Sequence, residues 1–174
     1  GCTVRLFEQV FAKFGVRTQW VDFTAPSAVD AIATSQPAMV WLESPTNPLL
    51  KVIDLRAVCA AAKAANVPVV VDNTFATAVV QRPLELGATL SLTSTTKYIN
   101  GHSAALGGAV CTDDSSWHQK MVFAQKALGL QPSPFDCWLI TRGIKTLPLR
   151  LKQQMANAAT LADHLANHPR VSWV

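Results

Sequence analysis

Long hydrophobic runs are missing from this sequence. No stretch reaches the roughly 18 uninterrupted apolar residues of a membrane span, and the N-terminus lacks the basic-then-apolar order of a secretory signal. A soluble, cytoplasmic protein is expected. Charge is scarce, with 15% charged residues against 49% hydrophobic, which is apolar for a soluble domain. Part of the apolar surface is therefore expected to be covered by something outside these residues. Basic clusters are absent as well: the net charge of +4 comes from 15 Lys and Arg against 11 Asp and Glu. The cations are scattered from Arg5 to Arg170 without the run that marks a nucleic-acid arm. The four cysteines, Cys2, Cys59, Cys111 and Cys137, form no close pair of the kind a zinc or redox motif uses. They are expected to be buried thiols of a reducing compartment. Neither a metal site nor a nucleic-acid partner is expected. Methionine is not the first residue, and the chain opens mid-pattern at Gly1 and stops at Val174 after what reads as the start of a strand. An internal piece of a longer protein is expected.

Helix and strand signals alternate along the chain. Val4, Phe7, Val10, Phe11 and Phe14 recur at helical spacing and Gly15 follows as a C-terminal stop, which predicts an amphipathic helix. Residues 16–23 read as a strand, Ser27 as the cap of a short helix to about Ser35, and residues 38–42 as a strand. Asp54 caps an alanine-rich helix to about Ala65. Residues 67–71 are apolar throughout apart from Pro68, and such continuous apolarity predicts a strand buried on both faces, as in a parallel sheet covered by helices. Strands follow at residues 89–93 and 108–112, then helices at about 116–128, 135–147 and a long one ending near His168. The expected fold class is α/β, a mostly parallel sheet flanked by helices. Residues 1–147 form its expected main domain, and 148–174 a connecting helix and the start of another.

Ligands of open α/β sheets bind beyond the carboxyl ends of the strands. Polar clusters sit at such ends: Glu43 to Pro48, Asp72-Asn73-Thr74, and Ser94-Thr95-Thr96-Lys97. A carboxylate directly after a buried strand needs a partner, yet Asp-Asn after a strand is also common turn chemistry. Lys97 alone reads as a surface lysine. Together the residues have a specific use, because a lysine amine can form a Schiff base with a carbonyl cofactor while an Asp holds a pyridine nitrogen protonated. Ser94 and Thr96 are suited to hydrogen-bonding a phosphate, helped by backbone N–H groups. His102 reads as a structural hydrogen-bonding residue, and His118, His164 and His168 as surface histidines.

The series Glu43-Ser44-Pro45-Thr46-Asn47-Pro48, Val70-Val71-Asp72-Asn73-Thr74-Phe75, Arg82-Pro83-Leu84-Glu85-Leu86-Gly87-Ala88 and Ser94-Thr95-Thr96-Lys97-Tyr98-Ile99-Asn100-Gly101-His102-Ser103 resembles the cystathionine γ-synthase/γ-lyase family of Cys/Met-metabolism enzymes in order, spacing and residue type. The resemblance continues at Gly1-Cys2-Thr3, at Pro134 to Leu139 and at Arg142 to Leu147, so it covers essentially the whole chain. It implies the large cofactor domain of fold-type I aminotransferase-like enzymes, with pyridoxal 5′-phosphate (PLP) as cofactor. On that pattern Lys97 is the Schiff-base lysine and proton carrier, Asp72 pairs with the ring nitrogen, and Asn47 hydrogen-bonds the ring's 3′ oxygen. Ser94 and Thr96 bind the phosphate with the Thr95 backbone beside it, and Arg5 lies close to the substrate.

Ala104 and Val4 depart from the family pattern, which often has Asp and Tyr there, but neither position holds the cofactor. The family's ring-stacking tyrosine would immediately precede Gly1, and the carboxylate-gripping arginine belongs to a C-terminal domain. Tyr98, the single tyrosine, is expected to pack. Residues 1–174 by themselves are therefore expected to bind the cofactor weakly and to be inactive. The implied activity of the full protein is β- or γ-elimination or γ-replacement on small sulfur-containing or homoserine-derived amino acids, in a dimer or tetramer of identical subunits. An aminotransferase or cysteine desulfurase of the same fold, or an inactive truncated piece, is the alternative.

Overall fold

Val69, Val70 and Val71 are 1%, 3% and 0% exposed, so the valine run is covered on both faces as its continuous apolarity predicts. The computed structural model describes residues 2–174, and this run is the second of four strands in one sheet. The strands are β1 (Val40–Glu43), β2 (Val69–Asp72), β3 (Leu90–Ser94) and β4 (Gly108–Cys111), in spatial order β1-β2-β3-β4. β1, β2 and β3 pair in parallel, and β4 returns antiparallel to β3. The mostly parallel α/β architecture is the expected one.

Register and alternation sort the side chains by face. Val40 and Leu42 of β1 stand beside Val69 and Val71 of β2, and these four join Ile32, Leu55, Val58, Cys59 and Ala62 in the main hydrophobic core. That face is covered by α2 (Asp30–Ser35) and α3 (Leu55–Ala64). α3 begins where expected, since the Asp54 side chain accepts the Ala57 N–H at 3.1 Å and closes one of the open amides of the first turn. Alternation then puts Trp41, Glu43, Val70, Asp72, Leu90, Leu92 and Ser94 on the other face. There Phe7 meets Trp41 edge-on, with ring centroids 5.5 Å apart. Among the described residues no helix is long and apolar enough to cross a membrane.

Several expectations fail locally. The N-terminal helix exists, but as α1 (Cys2–Arg5) followed by a π turn (Leu6–Val10) and a 3-10 turn (Phe11–Phe14), ending on Gly15 at φ 81°. Residues 16–23 form no strand: no described segment pairs with them, and a strand without a neighbour leaves its ladder groups open. The same holds at residues 171–174. Ser27 is not a cap, because the short 3-10 turn Pro26–Val29 starts from Ala25 with proline in its first turn. Of the cysteines only Cys59 is buried, while Cys2, Cys111 and Cys137 are exposed. Cys59 sits on the core face of α3 and burial pushes its thiol up to about 11, which keeps it protonated and inert near neutral pH. The exposed three lie on elements with little cover, the first turn, the edge strand β4 and helix α6 (Pro134–Ile144).

Beyond β3 a π turn, Thr95–Ile99, carries Lys97, and α6 and α7 (Leu147–Ala166) pack against it. Buried Asn100 accepts the Ala104 and Ala105 N–H groups at 3.0 and 2.9 Å with its amide oxygen turned toward them, which closes the glycine loop. Leu147 and Leu151 seat the start of α7, at 5% exposure each. Elsewhere these helices are open: α5 (Ser115–Leu128) buries no residue, and Phe123, Phe135 and Leu149 are exposed. The closest approach is at Gly143 of α6, where a Cβ would collide with the Asn100 carbonyl oxygen and stand 2.7 Å from that of Ile99.

Gly143→Ala tests that joint by the sign of its effect. In an open helix the change stabilises by about 1 kcal/mol. Against main-chain oxygens that cannot rotate away, overpacking costs about 3 kcal/mol, so a net loss of about 2 kcal/mol is expected in urea unfolding. A higher unfolding midpoint in the variant would contradict the packing described.

Candidate functional site

Because β1, β2 and β3 run in parallel, their carboxyl ends reach the same edge of the sheet. Glu43 stands opposite Asp72 in register, Asp72 opposite Leu92, and Ser94 follows two residues later on the same face. The three polar clusters singled out in the sequence are thus brought together at one edge.

Thr74, to which the sequence reading assigned no role, links two of them. Asp72 Oδ1 accepts the Thr74 backbone N–H at 3.0 Å and its hydroxyl at 2.6 Å. Thr74 Oγ1 in turn accepts the Ser94 N–H at 2.8 Å. A continuous chain of bonds therefore runs from the carboxylate to the start of the lysine-bearing turn. It holds one carboxylate oxygen of Asp72, and among the described residues no hydrogen bond reaches the other.

A second network secures the first cluster. Buried Asn73 donates from its amide to the Gln81 carbonyl at 2.8 Å, and Gln81 Nε2 donates to Asn73 Oδ1 at 2.9 Å and to the Ser44 carbonyl at 2.8 Å. Ser44, 1% exposed, accepts the Ile53 N–H on its hydroxyl at 3.1 Å. The loop beyond it is closed by Thr46, whose N–H reaches the Lys51 carbonyl at 3.0 Å. Asn47 projects from this loop, exposed. Burial raises the Glu43 carboxyl above its ordinary range, with the neighbouring Asp72 charge adding to it, while the Asn47 N–H works against both. Gln81 leaves no mark in the sequence beyond its place after a short helix, α4 (Thr77–Val80).

The remaining residues fall out differently. Thr96 Oγ1 accepts the Gly107 N–H at 3.0 Å and lies 3.3 Å from the Gly107 carbonyl, so this hydroxyl already ties the turn to the start of β4. Thr95 is buried, with no partner for its hydroxyl among the described residues; a Cβ on Gly107 would stand 2.8 Å from that oxygen. Lys97 is exposed, and the ion pairs among the described residues, Asp22–Lys51 and Arg82–Glu85, do not involve it. Its backbone leaves helical geometry at φ −91°, ψ −119°. Tyr98 packs on Phe75 with centroids 6.2 Å apart, and His102 Nδ1 lies 2.6 Å from the Asn100 carbonyl. Arg5 is exposed, 3.3 Å from Cys2 Sγ within its own turn, and no hydrogen bond among the described residues ties it to the strand-end loops. His164 and His168, one turn apart, bring their rings to 5.9 Å. Among the described residues no group of three or more His, Cys, Asp or Glu could hold a metal ion.

Known proteins are similar to this chain in sequence and in fold. A probable cystathionine gamma-synthase of Herpetosiphon aurantiacus is 44% identical across 174 residues, all of this chain and 54% of that protein. The cystathionine gamma-lyase of Sus scrofa is 43% identical across 176 residues, again all of this chain and 43% of its own length. A cystathionine gamma synthase from Xanthomonas oryzae pv. oryzae, crystallised in complex with cystathionine, superposes with a TM-score of 0.93 at 43% identity, over 97% of this chain and 43% of that one. The chain thus spans about half the length of the relatives it matches. The profile of one family, described as Cys/Met metabolism PLP-dependent enzyme, matches residues 1–174. By that match and these identities, the chain belongs to the Cys/Met metabolism family of PLP-dependent enzymes.

Proposed function

We propose that the protein is the PLP-binding part of an enzyme that eliminates or replaces a group at the β or γ carbon of a sulfur-containing or homoserine-derived amino acid. Residues 1–147 form its cofactor domain on this reading, and 148–174 lead out of it. The observation that carries the proposal is the bonded chain from Asp72 through Thr74 to Ser94, which joins a half-engaged carboxylate to the turn bearing an exposed lysine.

The residues present fit the cofactor by their donor chemistry. An amine at Lys97, a carboxylate oxygen at Asp72, an amide at Asn47 and a hydroxyl at Ser94 stand without a side-chain partner among the described residues. They match a carbonyl, a basic ring nitrogen, a phenolic oxygen and a phosphate in turn. Thr96 fits less directly, since its hydroxyl already bonds Gly107, and it serves by shaping the turn around the Thr95 and Thr96 amides. When bound, PLP supplies a carbonyl for the amine and a ring that withdraws electrons from the substrate's Cα.

Lys97 would hold the cofactor's carbonyl through Nζ, and its amine would move the proton at the substrate's Cα; chemistry at Cγ requires a second proton, from Cβ, which the same amine would move. Asp72 would hold the ring nitrogen protonated, a charge that favours proton loss at Cα. Asn47 orients the ring edge, and Arg5 is proposed to approach the substrate. The uncovered apolar residues of α5 and α6, Phe123 and Phe135 among them, suit burial by an identical subunit or by the rest of a longer chain.

Three outcomes test this reading. Borohydride treatment of PLP-loaded protein followed by peptide mass mapping should place the pyridoxyl group on Lys97, and a label on any other lysine sinks the assignment. Asp72→Asn in the full-length enzyme should lower kcat by about 10²–10³-fold, the scale of losing one preorganised electrostatic contact, while Lys97 still takes the label; near-normal turnover would contradict the role. Thr74→Val removes the hydroxyl that donates to Asp72 and accepts the Ser94 N–H while keeping the backbone N–H to Asp72, an expected loss of about 1–3 kcal/mol in urea unfolding, together with weaker PLP retention on dialysis. Unchanged retention would show that the chain does not organise the site.

A further inference from the structure

Arg150 is the one guanidinium in the described structure that reaches the lysine-bearing turn. It lies at the start of α7, far from Lys97 in sequence, and it collects four acceptors. Nη1 donates to the Tyr98 carbonyl at 2.9 Å, and Nη2 to the carbonyls of Ile99 at 3.2 Å and Gly143 at 2.8 Å. Nε donates to Thr146 Oγ1 at 3.0 Å. Among the described residues no carboxylate pairs with it. Its partners are all uncharged, and three of the four are main-chain carbonyls.

That pattern has a mechanical meaning. A guanidinium presents five N–H groups in a rigid planar fork, so four acceptors drawn from three segments fix those segments relative to one another. The segments are the end of the lysine-bearing turn, the end of α6 and the start of α7. Carbonyls at the end of a helical turn carry partial negative charge, which favours a cation there. Space is kept for the fork as well: Gly101 has φ +70°, and a Cβ there would collide with Nη1.

The turn is held at its other end by different means. Ser94 N–H bonds Thr74 at 2.8 Å, and Thr96 and the Gly107 N–H meet at 3.0 Å. Inside it, the Asn100 N–H reaches the Thr95 carbonyl at 3.0 Å and the Gly101 N–H reaches the Lys97 carbonyl at 2.8 Å. Lys97 lies between the two anchorages, exposed and at non-helical backbone angles. Packing around its side chain therefore does little to aim it. The backbone that presents the amine is aimed by what grips the turn before and after it.

We infer that Arg150 is a positioning residue, which sets the direction of the Lys97 amine by clamping the Tyr98 and Ile99 carbonyls to α6 and α7. This rests on the reading of Lys97 as the cofactor lysine. Arg150 touches neither cofactor nor substrate in this role and acts through the backbone of the turn. Lysine cannot replace it, because a single ammonium cannot span three carbonyls and a hydroxyl in one plane.

The experiment compares the full-length protein with its Arg150→Met and Arg150→Lys variants by hydrogen exchange of the cofactor-free protein and by borohydride labelling after PLP addition. In both variants the Asn100 and Gly101 amides should exchange at least about tenfold faster, the scale of losing a charge-assisted bond, while α3 amides keep their rates. Labelling of Lys97 should slow by a similar factor in both, and millimolar methylguanidinium should restore it in Arg150→Met. Faster exchange spread evenly over the whole chain would overturn the inference, since it marks general destabilisation. So would full recovery of turn exchange and labelling in Arg150→Lys, the variant that keeps the fold if the methionine change does not. Failure of the unsubstituted protein to label at Lys97 would instead reject the cofactor reading, and the exchange rates would still judge the clamp.

Discussion

The parallel pairing of β2 between β1 and β3 is the constraint on which the rest of the structure depends. A strand buried on both faces has no room for a charge along its length, so its first polar residue comes where the sheet ends. Here that residue is Asp72. Parallel neighbours bring their own carboxyl ends to the same edge, so Glu43, Asp72 and Ser94 meet there although 51 positions separate the first from the last. An antiparallel arrangement of the same three strands would have sent the middle one to the opposite edge. β4, which does run antiparallel, brings Gly107 and Gly108 back to that edge, where the glycine lets the Thr95 and Thr96 side chains approach its backbone.

A site on loops needs another source of rigidity, and hydrogen bonds supply it here. Ser44, Gln81 and Asn73 tie the end of β1 to that of β2, and Thr74 ties β2 to β3. Several of these groups are largely shielded from water, where an unmade bond is expensive and a made one holds its geometry. Single small hydroxyls and amides each bridge two segments, so the cost of ordering the loops is met once, on folding. Among the groups left over are the Lys97 amine and one oxygen of Asp72, two of those that the proposed reading assigns to the cofactor. Charge near Asp72 is not neutral in its effect: Glu43 lies beside it in register and is itself pushed toward the protonated form by burial.

Much of this was legible beforehand, and for identifiable reasons. The valine run reported a doubly covered strand, Asp54 reported a cap, and the polar clusters reported strand ends, since each rests on interactions within a few residues or on burial that leaves a compositional trace. Residues 16–23 misled because a local residue pattern records compatibility with a sheet, and only a neighbouring strand turns compatibility into pairing. The cysteines misled for a similar reason, because burial belongs to a place in the fold and Cys59 is the one that lies on the core face of α3.

The amino-acid sequence by itself determined the kinds of element, their order and the residue types able to do carbonyl and phosphate chemistry, because these follow from periodicity, capping and side-chain functional groups. Tertiary structure alone decided which of those residues share an edge and what holds them. Thr74 is an ordinary turn threonine until Ser94 arrives from 20 residues away, Thr96 is one more loop hydroxyl until Gly107 meets it, and Arg150 is one more cation on a helix until the carbonyls of Tyr98 and Ile99 fold against it. Each of these depends on two distant segments meeting within a hydrogen bond's length, and no local pattern in the chain encodes that distance.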